Sequence, residues 1–410
     1  MHKSALLPYC LPMAALLSVT LLAQGLNAEE AELSDAPAWR QRIAEAAIDE
    51  LEKSSVPSLQ IAIGINGKIV YDRAFGLADV EHQVAATTKT KYRSASISKW
   101  MTAAAAMRLA DQRKLDLDAP IQTYCPEFPE KRWTVTPRHL LTHTSGIRHY
   151  ADYEAELEAA ANATQRAAIE RRRDRDALGE YTRYTDVLAP LESFKHDPLE
   201  FEPGTAWLYT SFGYRVLGCV LRGAAKRSYT DIMQSEIFDP AAMSNTLADD
   251  AWQIIPHRAT GYRVSKGQPL RRADMRDVSE NLPAGGHLTT AADLVAFALA
   301  FRSRKIVSAS ATALLSRPLN PPGTAASEAP SWRNAIPSEN HYGYGVMFFP
   351  GGDYWLGHSG RQAGGSAIVM QAPASDLSIA VMTNAKGWQG FISFTGTLKD
   401  IAEAGLRETP

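Results

Sequence analysis

The sequence predicts an α/β protein: one antiparallel sheet built from both ends of the chain, helices flanking it, and a mainly helical domain inserted between the halves. Three observations carry this reading. Strand-like alternation surrounds Asn66-Gly67 near the start. Helical periodicity dominates the middle, to about residue 250. Strand-like runs return from 341 onward.

Lys3 precedes a charge-free run from Ser4 to Ala28, with an apolar core at Leu11–Leu22. A basic start, an apolar stretch and a small residue before Glu29 read as a signal peptide, 1–28, cut after Ala28 or Ala23. An uncleaved membrane anchor is the alternative, because the run is almost long enough to span a bilayer. Export to a bacterial periplasm follows from the first reading, and no lipoprotein cysteine follows the apolar core.

Ala36–Glu52 repeats apolar residues at helical spacing (Trp39, Ile43, Ala46, Ala47, Leu51). Pro57 stops it. Asn66-Gly67 then predicts a hairpin of strands 59–65 and 68–75, because both turn positions need positive φ. Ala-rich 96–112 predicts a helix. Glu154–Glu180 is dense in charge, with Arg171-Arg172-Arg173, and reads as a solvated helical insertion. The runs HYGYGVMFF, YWLGH, SAIVMQA and LSIAVMTN predict four strands, and 391–407 a closing helix. The expected division is a sheet domain from 29–92 and 256–410, with 93–255 inserted.

Composition narrows the function. The 410 residues are 21% charged and 45% hydrophobic, an ordinary globular balance. The 43 basic and 45 acidic residues leave a net charge of −2, so no basic field exists for nucleic acid. Three cysteines, Cys10, Cys125 and Cys219, are too few for a disulfide scaffold or a four-cysteine zinc module. Cys219, in the apolar run VLGCVL, reads as a buried free thiol.

Chemistry centres on Ser96-Ile97-Ser98-Lys99. Residues three apart share one helix face, so hydroxyl and amine can meet. Ser96 sits at the helix start, where free N–H groups favour negative charge. A desolvated lysine there loses proton affinity and can accept the serine proton. Two more signals follow: Tyr209-Thr210-Ser211 after Pro203-Gly204-Thr205, and His358-Ser359-Gly360 at a strand end.

Together these resemble the serine β-lactamase and penicillin-binding-protein superfamily, which carries a Ser-x-x-Lys helix start, a Tyr-x-Asn loop and a Lys/His-x-Gly strand in this order. LLTHTSGI at 140–147, EPGTAWLYTS at 202–211 and PAGGHLTTAADL at 283–294 fit the class C-like branch, of peptidase S12 type. KLDLDAPIQTYCPEFPEKRW and SGIRHY look like the mitochondrial serine β-lactamase-like protein. The resemblance covers about 55–400.

The resemblance implies a serine β-lactamase-like fold with Ser96 as nucleophile, Lys99 as proton acceptor, Tyr209 as proton relay and His358 as a fourth catalytic residue. It implies an oxyanion hole from the N–H groups of Ser96 and Arg361. Ser211, Ser359 and Gly360 would border the substrate. Ser211 stands where most members have Asn, and His358 where β-lactamases usually have Lys, which weighs against efficient capture of an antibiotic carboxylate. The expected function is exported hydrolysis of a small peptide or ester, with weak or no β-lactamase activity. It requires no metal or organic cofactor, no nucleic acid, and no membrane beyond an uncleaved N-terminus. Self-association into a homo-oligomer also follows, since the mitochondrial relative forms filaments. The alternatives are a non-catalytic assembly protein keeping the fold, and a true class C-like β-lactamase. His139 and His143 lack the Glu of a zinc-protease helix and read as structural.

Overall fold

The computed structural model describes residues 37–319, 342–349, 355–372 and 376–408. The signal-peptide reading for 1–28, and Cys10 with it, lie outside the described residues. Helix α1 (Ala38–Ser54) leads into strands β1 (Ser58–Ile65) and β2 (Lys68–Asp79). Asn66 (φ 50°) and Gly67 (φ 75°) both take left-handed backbone between them, as the hairpin signal requires. A short β3 (Val84–Ala85) and helix α2 (Ile97–Asp111) follow. The middle supplies α3 (Tyr153–Glu158), α4 (Ala163–Gly179) and α5 (Ser211–Ala225). Helix α6 (Ala291–Arg302) precedes β4 (Met347–Phe349), β5 (Trp355–Gln362), β6 (Gly365–Gln371) and β7 (Ser378–Thr383), and α7 (Phe391–Glu408) closes the chain.

The main sheet has seven strands in the order β3-β2-β1-β7-β6-β5-β4. Every described pairing in it is antiparallel, and β1 meets β7 with Gln60 opposite Met382. The two chain ends therefore build one sheet. Strand alternation sorts side chains to two cores. Leu59, Ile61 and Ile63 face α1 and α7 with Ile43, Phe394 and Leu398. Ala62 and Val369 face the opposite core with α2, α5 and α6. Helix α2 is buried on almost all sides, and its run Ala103–Ala106 keeps it thin enough for neighbours on every face.

Two expectations need correction. Cys219 is not a free thiol: it forms a disulfide with Cys125, Cα–Cα 5.5 Å. The cause is Gly223, one turn further along α5. A Cβ there would stand 1.7 Å from the Tyr124 carbonyl oxygen, so only glycine lets the 121–128 loop lie this close. The charged segment is also more than a solvated helix. It splits into α3 and α4, and Asp176 of α4 takes both ends of the Arg148 guanidinium at 2.9 and 3.0 Å. Arg148 is only 5% exposed and also donates to Asp197 at 2.6 Å. The segment is docked through this buried cation.

Candidate active site

Ser96 and Lys99 meet as their spacing predicts. Lys99 Nζ lies 3.0 Å from Ser96 Oγ and 3.1 Å from Ser211 Oγ, and donates to the Ala284 carbonyl at 2.9 Å. Lys99 is 0% exposed. Burial first, and the nearby Arg215 cation second, push its pKa well below the ordinary lysine value. A neutral amine has two N–H donors and one lone pair. Donation to Ala284 and Ser211 leaves that lone pair for the Ser96 hydroxyl proton.

Ala95, just before Ser96, takes positive φ (46°) with an ordinary side chain. Such backbone is costly and is held only by its surroundings. Gly360 of β5 supplies part of that hold: a Cβ there would lie 2.4 Å from the Ser96 nitrogen. The strand thus presses on the turn that presents Ser96, and Arg361 follows at once in the chain.

Tyr209 is half-buried, and its hydroxyl contacts Ser96. Loss of water raises its pKa above the phenol range, so it stays protonated. Lys99 Nζ lies 4.9 Å from its ring centroid. Thr210 caps α5 through Gly213 N–H at 3.1 Å. Ser211 N–H donates to His149 Nδ1 at 3.1 Å.

Ser96, Tyr209, Ser211 and Arg361 line one cleft of about 300 Å³. His358 does not line it. Its ring is 1% exposed and its pKa falls to about 3, first through burial and then through Lys99. Nδ1–H donates to the Ser359 carbonyl at 2.6 Å, so Nε2 accepts from the Tyr342 hydroxyl at 3.2 Å. Ser359 Oγ points to Met347 Sδ at 3.7 Å. His143 is buried nearby and accepts from Thr210 N–H at 3.1 Å. His139 caps the short helix Pro137–Leu141, so neither histidine is placed as a metal pair.

Sequence reasoning missed Ala284, Arg215 and Tyr342. Arg215 lies one turn after Ser211 on α5, a spacing that could have flagged it. It donates to Glu280 at 2.9 Å and to Tyr150 at 2.9 Å, fixing a buried positive charge beside Lys99. The Ala284 acceptor is a backbone carbonyl, to which side-chain patterns are blind.

A serine at the start of helix α2 that faces a desolvated lysine, between a sheet and a helical layer, defines the site's class. The solved D-amino acid amidase from Ochrobactrum anthropi SV3, complexed with D-phenylalanine, shares the fold: TM-score 0.69, 18% identity, 91% of this chain and 100% of that one. So does the octameric penicillin-binding protein homologue from Pyrococcus abyssi, at TM-score 0.68 and 22% identity over 88% of this chain and 77% of that one. Residues 43–399 match the Beta-lactamase family, and the chain belongs to that family.

The mouse mitochondrial serine beta-lactamase-like protein LACTB is 32% identical over 298 residues, 60% of this chain and 54% of that protein. Protein flp of Staphylococcus aureus (strain N315) is 27% identical over 235 residues, 56% and 43% respectively. The chain thus spans about half the length of the curated relatives it matches.

Proposed function

We propose that this protein is an exported serine hydrolase of peptide amide or ester bonds, with weak or no β-lactamase activity. The single observation that carries the reading is the 3.0 Å approach of a fully buried Lys99 amine to Ser96 Oγ. Ser96 Oγ adds to the substrate carbonyl as its proton passes to Lys99 Nζ. The C–N or C–O bond then breaks as Tyr209 passes a proton to the leaving atom. Water adds to the acyl carbonyl, and the acid and the free serine separate. The N–H groups of Ser96 and Arg361 are assigned to the developing oxyanion. Similarity to a D-amino acid amidase supports amide chemistry. The neutral, buried His358 at the usual lysine position supports poor antibiotic capture.

The charge-free N-terminal run supports export, and the Cys125–Cys219 bridge fits an oxidising compartment. No helix among the described residues is long and apolar enough to cross a membrane. The division into a sheet domain (29–92 and 256–410) and an inserted domain (93–255) is kept as part of this reading. Homo-oligomerisation is supported by the octameric Pyrococcus homologue.

The test is covalent labelling of the purified protein with a fluorophosphonate. Mass should be added to the peptide holding Ser96, and Ser96→Ala should abolish it. Turnover of a chromogenic cephalosporin should be slow beside that of a short acyl ester. Labelling at another serine with Ser96 untouched would sink the mechanism.

A further inference from the structure

The loop that carries Tyr209 is gripped by two consecutive residues. The Thr210 hydroxyl donates to the Arg148 carbonyl at 2.6 Å and accepts from Gly213 N–H. Ser211 N–H donates to His149 Nδ1, and the His149 ring meets the Tyr209 ring edge-on, centroids 5.6 Å apart. The 148–149 backbone is thus the rail on which Tyr209 and Ser211 rest.

Arg148 is in turn set by the charged insertion. Asp176 of α4 takes both of its terminal nitrogens, and Asp197 takes Nε. Its guanidinium lies 4.6 Å over the ring of Phe212, the residue after Ser211. Tyr153 of α3 donates to the same Asp176, and Arg175 of α4 donates to Asp197 at 2.9 Å. Two arginines and two aspartates therefore balance only with α4 docked. Bidentate contact fixes the orientation of a guanidinium as well as its charge. Core packing does not explain where α4 sits, because no apolar side chain of it is buried and Leu178 is 68% exposed. The Asp176 side chain, 10% exposed, goes to Arg148.

We infer that Asp176 of the insertion is a positioning residue for Tyr209, acting through Arg148 and the 148–149 backbone. This rests on the reading of Tyr209 as the group that protonates the leaving atom. A 4-nitrophenolate departs without that proton, whereas an ethoxide needs it. Misplacing Tyr209 therefore harms an alkyl ester far more than an activated aryl ester.

Hydrolysis of ethyl butyrate and of 4-nitrophenyl butyrate tests this. Asp176→Asn keeps the side-chain size, and Asp197 still pairs Arg148. It should lower kcat/KM about tenfold to a hundredfold for the ethyl ester and less than about threefold for the nitrophenyl ester, as a displaced proton donor does. Asp174→Asn, on the same helix but paired with exposed Arg173, should change neither. In protein grown on 3-fluorotyrosine, the Tyr209 fluorine resonance is the one that Tyr209→Phe removes, and Asp176→Asn should shift it. Tyr153→Phe strips one donor from Asp176 and carries both readouts should Asp176→Asn not fold. An unmoved resonance overturns the inference in every case. Where Tyr209→Phe separates the two esters, equal losses on both in Asp176→Asn also overturn it. If Tyr209→Phe treats the two esters alike, the relay reading falls, and the fluorine shift alone decides positioning.

Discussion

His143 and His358 approach one and the same oxygen. Their Nε2 atoms lie 3.1 and 3.2 Å from the Tyr342 hydroxyl. The proton order is forced. His143 Nδ1 accepts from Thr210 N–H, so its Nε2 donates to Tyr342. His358 Nδ1–H donates to Ser359, so its Nε2 accepts the Tyr342 proton. A directed hydrogen-bond chain thus ties the loop of Tyr209 to strand β5. Burial pushes the pKa values of both imidazoles well down and keeps them neutral.

Tyr342→Phe should break this chain at its middle. Two buried ring nitrogens would lose their partner, at a cost of about 1–3 kcal/mol. Urea unfolding measures it. An unchanged midpoint, with unchanged hydrolysis, would show that the chain has no role.

Lys99 gives the acid limb of a pH profile. Its folded pKa is depressed, so it should work as a base above that pKa and be silenced as pH falls through it. Lys99→Arg keeps a permanent positive charge and should lower kcat/KM for a short ester at least about a thousandfold. A variant with near-normal turnover would exclude Lys99 as the base.

The buried histidines set acid stability. Burial drops His287 and His358 to about 3, below the ordinary value of 6.5. The unfolded chain binds the extra protons first, so stability is full above 6.5 and falls as pH drops from 6.5 towards 3. Each such group contributes a slope of up to about 1.4 kcal/mol per pH unit. His287→Gln should flatten the fall of the guanidinium midpoint between pH 6.5 and 4. An equally steep fall would assign it to other groups.

The Cys125–Cys219 bridge closes a loop across a sequence separation of 94. Alkylation of the unreduced, denatured protein should leave both cysteines unmodified. Replacing both with Ala should cost about 2–5 kcal/mol, read as a lower melting temperature. Full alkylation without reductant would refute the bridge.

Local features were the readable ones. Asn66-Gly67 announced its hairpin because turn chemistry depends on two adjacent residues. Ser96 and Lys99 announced their meeting because one helical turn links them. Ser211 and Gly360 were found only through the ordered motifs, since nothing local brings them to Ser96. The disulfide escaped because its two cysteines are 94 apart in sequence and meet only where Gly223 packs on Tyr124. His358 was placed among the catalytic residues by motif position. Its ring instead turns to Tyr342, a tertiary choice that strand alternation does not report.

The sheet joins β1 to β7 and sets Gly360 against Ser96. A growing chain therefore carries Ser96 and Lys99 long before it owns the strand that walls them. Such non-local pairing forms late and slowly. A polypeptide cut before residue 355 would keep the reactive pair in its sequence and stay chemically inert. Completion of synthesis would then act as a safety catch on that pair, with no separate inhibitory segment needed to restrain the unfinished chain.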